Sequence, residues 1–411
     1  MAETCLLLVL PLSIYRVDGQ LYLDTQACNG LRLWLRNFDR VLLCNPTLER
    51  PTPPAGTSPV METVGSPKLE IYPLPPAWTP HRFLRVFPKV RRQLTALIDR
   101  ATDLQFAIGG LWGDWGAVAA LIAARRGRKA AIWTDRVESE VMRLQARRLS
   151  GARRLYRLIN AAIARHFEAH VIRRSAMGLF HGMDTYSVYA PLSPEAHLVH
   201  DIHLGPEARI SPADLEAKLA RPAHRPLRIV YAGRAHADKG VRDWIETLKL
   251  LAARRIAFSA TWYGDGPEYD EARRLIAELD LGGSVAFPGA TQDRQALMAA
   301  LREADIFLFC HKTPESPRCL IEALLAGTPI VGYDSAYPRD LIAHHGGGLL
   351  TPGIPEALAD AVADLAGNAD RLRQLIRSAA LDGYPMVDEE VFRHRSELIK
   401  SLRENKEVSC H

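Results

Sequence analysis

Two short stretches of this chain hold side chains that could do chemistry together. The turn Gly233-Arg234-Ala235-His236-Ala237-Asp238-Lys239-Gly240 places Arg234 and Lys239 between two glycines. Residues 305–334, DIFLFCHKTPESPRCLIEALLAGTPIVGYD, carry Glu315 and Glu322. Two cations in one turn can face a diphosphate together, and the N–H groups at the start of a following helix reinforce them. When a bond to such a diphosphate breaks, negative charge grows on the leaving oxygen. Fixed cations then stabilise the transition state more than the ground state. A carboxylate has paired oxygens that can accept two hydrogen bonds from a diol, which suits Glu322. The competing readings are plain: a solvated surface turn for Arg234 and Lys239, and for Glu322 a helix N-terminal acid favoured by the dipole.

The elements that must position these residues alternate strand and helix. Residues 306–309 form an apolar run fit for a buried parallel strand, and 311–317 read as a loop broken by two prolines. A helix over 319–326 ends at Gly327 and Pro329, placing Glu322 near its start, and 330–333 is the next strand. Upstream, a strand at 228–232 leads into the cationic turn and a helix over 241–253, where Trp244, Leu248 and Leu251 recur on one face. A strand at 257–262 runs into Gly264-Asp265-Gly266, where the backbone can pass close to a ligand. The dinucleotide fingerprint is not met, because Tyr269 stands where its third glycine belongs. In a parallel sheet the loops at strand carboxyl ends line the ligand crevice, so all three turns belong to one rim.

This pattern resembles the donor site of family-4 glycosyltransferases with the GT-B fold, over roughly residues 227–383. That family carries an Arg after Gly and a Lys before Gly in the same turn, a Gly-Asp-Gly-Pro turn like 264–267, and a glutamate pair opening EALLAGTPIV. It usually has seven residues between the glutamates, and here residues 316–321 make six. The resemblance implies two Rossmann-like, doubly wound α/β domains facing across a cleft. It implies Arg234, Lys239 and Glu315 as catalytic residues. Donor binding falls to Gly233, Gly264, Asp265, Gly266, Ser316, Arg318, Cys319, Leu320 and Glu322. The reaction implied is a metal-independent, retaining hexosyl transfer from a nucleotide sugar to a glycan or lipid-linked acceptor, in cell-surface polysaccharide synthesis, with no cofactor besides the donor. The rival readings are a sugar-nucleotide epimerase of the same fold and a non-catalytic nucleotide-sugar-binding protein.

The first half shows the α/β rhythm with weaker motifs. Strands at 6–10, 40–44, 69–74 and 130–133 alternate with helices, while 13–19 reads as a polar turn and 45–68 as an irregular loop. On the acceptor side, Gly19 and Gly110 read as strand-end glycines. Family members often carry His-Asp after the strand that here ends in Thr134-Asp135; Asp135 orients an acceptor hydroxyl or caps a helix. His181 and Asp184 flank a turn and read as structural. The His344-His345 pair has no third ligand, and no metal site is expected.

At 411 residues, 47% hydrophobic and 24% charged, the chain suits two globular domains. The expected division is 1–205 for acceptor binding, a linker at 206–226, 227–385 for the nucleotide sugar, and 386–411 as a C-terminal helix and tail, whose return to the first domain is implied by the resemblance and not by the residues. Residues 5–15 are apolar but short, without a basic leader, and read as a first strand. No run approaches a bilayer span, and the six scattered cysteines fit reduced cytoplasmic thiols. The net charge of +5 is concentrated between Arg143 and Arg174, where arginines interleave with Leu and Ile and Glu168 is the one acid. That stretch is a solvated helical face or a patch for an anionic membrane surface, which would put the protein at the inner face of the membrane. Nucleic acid is not expected as a partner, since aromatics are sparse and no recognition motif is present.

Overall fold

The computed structural model describes residues 3–147, 149–222, 225–291, 293–312 and 316–404. The chain divides into two units: residues up to His203 with those from Glu389 onward, and Leu204–Asp388. Each is a largely parallel sheet covered by helices.

The first unit orders its strands β1 (Cys5–Val9), β2 (Ile14–Val17), β3 (Gln20–Asp24), β4 (Arg40–Glu49), β5 (Thr57–Pro59), β6 (Leu69–Leu74), β7 (Asp103–Ala107), β8 (Ala131–Thr134), β9 (Met177–His181) and β10 (Ala196–Val199). In space they run β10-β9-β8-β7-β1-β4-β2-β3-β5, with β6 also on β4. Strands β1, β7 and β9 are buried along their whole length, as expected of a parallel sheet covered on both faces. The helix Asp388–Glu404 belongs to this unit and sets Phe392, Ile399 and Leu402 into its core beside Trp34 and Phe38.

Three stretches differ from their sequence reading. Residues 13–24 form an antiparallel hairpin, β2–β3, with Val17 opposite Gln20. Asp18 and Gly19 close it with φ of 49° and 83°, the two-residue turn that Asp-Gly favours. Gly19 therefore closes a hairpin at the end of β2, a strand paired parallel with β4 on its other side. Residues 45–68 are not irregular throughout. Pairing of Ile14 with Thr47 draws β4 on to Glu49, and β5 and a short helix, Val60–Val64, follow. The basic stretch is a helical hairpin of Glu138–Arg147 and Gly151–Arg174.

The second unit has strands β11 (Leu227–Ala232), β12 (Phe258–Tyr263), β13 (Val285–Gly289), β14 (Ile306–Phe309), β15 (Ile330–Tyr333) and β16 (Gly348–Thr351), ordered β13-β12-β11-β14-β15-β16. The chain builds outward from β11 in one direction, returns to pair β14 with β11, and builds outward in the other. Such a reversal is where open parallel sheets leave a crevice at their carboxyl ends. Between the sheets, residues 206–226 carry a helix, Pro212–Leu219, started by Ser211 accepting from the Asp214 N–H. Its Lys218 is buried and donates to Thr328 Oγ1 at 2.8 Å. Burial pushes that amine down to about 7.

Candidate active site

At the carboxyl ends of β11 and β14, where such sheets hold ligands, the 233–240 turn is bonded on one side to the turn after β12 and on the other to the chain after β14. After β11, the Gly233 N–H donates to the Tyr263 carbonyl at 2.9 Å, and the Ala235 N–H donates to that of Asp265 at 2.7 Å. The Glu268 N–H returns to the Ala235 carbonyl at 3.1 Å. The approach is too close for side chains: a Cβ on Gly264 would lie 1.9 Å from the Gly233 carbonyl oxygen. Gly264 and Gly266 thus let two turns run backbone to backbone, while a Cβ on Gly233 would lie 2.6 Å from the Tyr231 hydroxyl. On the other side a Cβ on Gly240, which has φ of 71°, would lie 2.0 Å from the Cys310 carbonyl oxygen. The Lys312 N–H donates to the Asp238 carbonyl at 3.1 Å, and Tyr231 Oη and His311 Nε2 share a hydrogen bond of 2.5 Å beneath the turn.

Arg234 projects from this turn with its side chain exposed, and Lys239 is half-buried one residue before Gly240. Asp243, in the first turn of the Val241–Ala253 helix, accepts from Lys312 Nζ and from Tyr333 Oη, each at 2.7 Å. Burial, then the bond to Asp243, raises the Tyr333 phenol far above its ordinary range. Burial also drives the Cys310 thiol well up, so it is held as an inert thiol.

Glu315 lies outside the described residues. Ser316, Arg318 and Cys319 are half-buried, and Leu320 is buried, at the start of a helix that spans Arg318–Leu325. Glu322 is the fifth residue of those eight, so it is not in the first turn and the dipole does not explain it. Its carboxylate is 7% exposed and accepts from Arg294 at 2.6 Å. Arg294 opens the helix Arg294–Glu303 after β13. A cation there opposes the helix dipole and gains from a nearby acid, a signal available in the sequence that leaves the acid unnamed. Asp243, Lys312 and His311 carry no such signal; only the pairing of β11 with β14 makes them neighbours of the cationic turn.

The expected residues of the first unit fall at separate places. Gly110 follows β7 in a turn organised by Asp114, whose carboxylate accepts from the N–H groups of Gly109 at 3.0 Å and Ala117 at 2.8 Å. Desolvation lifts Asp114 to about 6 against the pull of those N–H groups. Asp135 is exposed just after β8, and the next helix begins at Glu138, so its N-cap position falls at Val137 and not at Asp135. Gly19 closes the β2–β3 hairpin just past the carboxyl end of β2, which pairs parallel with β4.

Residues 216–382 match the model of the family described as glycosyl transferases group 1. The amylovoran biosynthesis glycosyltransferase AmsK of Erwinia amylovora is 29% identical over 201 residues, 47% of this chain and 49% of that protein. The lipopolysaccharide core biosynthesis glycosyltransferase LpsE of Rhizobium meliloti is 28% identical over 182 residues, 41% of this chain and 51% of that protein. The chain thus spans about half the length of these relatives. Among solved structures, HepE of Anabaena in complex with UDP superposes with a TM-score of 0.65 at 15% identity, over 97% of this chain and 100% of that one. The fold is GT-B, built from two Rossmann-like units.

Proposed function

From the match of residues 216–382 to the glycosyl transferases of group 1, we propose that this protein moves a hexose from a nucleoside diphosphate sugar to a glycan or lipid-linked acceptor. Transfer retains the anomeric configuration and uses no metal ion or other cofactor. The single observation that carries this reading is the bonding of the 233–240 turn to the chain just after β14, through Gly240 against Cys310 and Lys312 against Asp238. It brings the Arg234 and Lys239 turn to the strand end that leads to Glu315 and to the helix of Glu322.

In this reading Arg234 and Lys239 hold the diphosphate and take up the charge that grows on it as the glycosidic bond breaks. The first-turn N–H groups of Arg318, Cys319 and Leu320 face the sugar and its phosphates. Gly264, Asp265 and Gly266 let the backbone pass beside the nucleotide. Glu322, held by Arg294, accepts from the ribose hydroxyls, and Glu315 contacts the donor sugar. These roles, with the motifs of the second unit, are those of family 4. UDP is the first nucleotide to try, because HepE binds it. The relatives' names support a step in polysaccharide assembly. The acceptor is held by the first unit, with Gly110 and Asp135 at the carboxyl ends of β7 and β8, and the protein works at the cytoplasmic face of the membrane.

A thermal-shift screen over nucleotides and nucleotide sugars tests the donor. A ligand at a hundredfold excess over its Kd stabilises the protein by about 2.7 kcal/mol. Arg234→Ala and Lys239→Ala should lose most of that shift; full shifts in both would mean that the diphosphate lies elsewhere. Proton NMR of the transferred sugar then reads the anomeric configuration, and an inverted product would reject the retaining mechanism.

A further inference from the structure

We infer that the helical hairpin of Glu138–Arg147 and Gly151–Arg174 is a docking device for an anionic phospholipid bilayer, with an apolar tip that enters the interface and a basic base that meets the phosphates. This deepens the membrane-face reading of the proposed function and names the residues that carry it.

At about 3.6 residues per turn, the long helix has two opposite sides. Ala161, Ala164, Glu168, Val171 and Ile172 face the unit and are buried. Positions 155, 158, 159, 162 and 163 lie on the other side, and all five are apolar and exposed, Leu155 by 61% and Ile159 by 50%. The same side continues toward the C-terminal end as His166, His170 and Arg173, also exposed. Leu144 and Leu149 extend the apolar surface at the turn of the hairpin. Leaving so many large apolar side chains in water along one element marks an interaction surface.

Charge identifies the partner. The hairpin, residues 138–174, contains nine arginines against three acids, Glu138, Glu140 and Glu168. Glu168 is buried and accepts from Ser139 Oγ at 3.0 Å, which ties the two helices together, and from Tyr189 Oη at 2.9 Å, which ties the hairpin to the unit. A second copy of this chain would set this basic surface against itself in a two-fold contact, which repulsion disfavours. Anionic lipid supplies both an apolar phase and phosphates. Arg143, Arg165, His166 and Arg173 line a cavity of about 700 Å³ at the base of the hairpin, where they outnumber the two acids that share it, Glu140 and the buried Glu168, leaving a recess of net positive charge for a phosphate headgroup. No helix among the described residues is long and apolar enough to cross a membrane, so the attachment is an in-plane one.

Flotation of the full chain with vesicles tests this. Vesicles of neutral phosphatidylcholine should leave the protein behind, while vesicles with about a third phosphatidylglycerol should carry it up, less so as salt is raised. Each arginine reversed among Arg143, Arg165 and Arg173 should weaken partitioning by about fivefold or more. The double variant Leu155→Ser, Ile159→Ser should lose binding by at least about tenfold while keeping the charge. These side chains are exposed, so unchanged unfolding curves and an unchanged nucleotide shift will show that the variants are folded. Equal recovery with neutral and anionic vesicles, or undiminished binding in both sets of variants, would overturn the inference. So would a concentration-dependent dimer in sedimentation that the Leu155→Ser, Ile159→Ser change abolishes. Because the nucleotide shift is read separately, failure here leaves sugar transfer standing, and failure of transfer leaves vesicle binding to be judged by itself.

Discussion

The two units use charge in opposite ways at their sheet edges. In the second, Arg234 stands exposed on a turn held rigid by its neighbours' backbone. In the first, Arg395 is fully buried. Its guanidinium lies 5.1 Å from the ring centre of Trp34, 5.5 Å from Trp133 and 5.2 Å from Phe392, with Asp201 at 3.6 Å. Burial lowers this arginine to about 10 even against the pull of Asp201. The Asp201 carboxyl, which burial alone would raise, is held below its ordinary range by His203, Arg395 and His181 together. An exposed cation on a fixed turn is available to a ligand, whereas a caged one is spent on joining the helix Asp388–Glu404 to its sheet. Counting arginines would not separate these roles; what surrounds each guanidinium does.

The largest test of that contrast is Arg395→Ala. Removing this side chain takes from the largely buried Asp201 carboxyl its arginine partner, with His203 remaining, and empties the space among three aromatic rings, at a cost of about 3–5 kcal/mol. Urea melts should show that loss, and a loss below about 1 kcal/mol would break the comparison from the side of the first unit. Arg234→Ala and Lys239→Ala should do the reverse, leaving the melts within about 0.5 kcal/mol while lowering kcat/KM about 10²–10³-fold, or about 2.7–4 kcal/mol of transition-state stabilisation. If either of them unfolds the protein while activity per folded molecule is kept, its charge is structural after all.

The second unit was the more legible one because its chemistry is tied to short sequence turns. Gly233, Lys239 and Gly264 each sit beside a strand end, and the strand–turn–helix order alone sends them to one rim. What stayed hidden there depends on β11 lying beside β14, some 75 residues apart in sequence: the Asp243–Lys312 pair, and His311 under Tyr231. The first unit hides more. The Asp18-Gly19 hairpin is a two-residue signal that a polar-turn reading swallows, and the extension of β4 depends on β2 pairing far along it. The cage around Arg395 gathers residues from positions 34, 133, 201 and 392, which no window of sequence contains.

The backbone contact between two turns offers a smaller and sharper test. Gly264→Ala places a methyl group where the Gly233 carbonyl oxygen stands, and since a backbone cannot step aside like a side chain, the turns must part. The expected cost is about 1–3 kcal/mol in melts, with loss of the nucleotide shift. Gly353→Ala, where a Cβ meets nothing within 4 Å, is the control and should leave both unchanged. A retained nucleotide shift in Gly264→Ala would mean that the seam between the 233–240 and 264–268 turns does not shape the donor site.

The smallest effect sharpens the other side. Burial, with His181 and His394 adding to it, depresses the His200 imidazole to about 3, so this ring stays neutral in the folded first unit. In the unfolded chain it protonates near pH 6.5. Between those values the unfolded state binds the extra proton, so stability is full above about pH 6.5 and falls as the pH drops through the window. The slope from this one residue is about 1.4 kcal/mol per pH unit. Unfolding measured from pH 7 to pH 5 should show the decline, and His200→Gln should flatten it by roughly that amount. An unchanged slope in His200→Gln would mean that the ring is open to protons in the folded state, and the first unit would then hold its titratable groups as openly as the second holds Arg234.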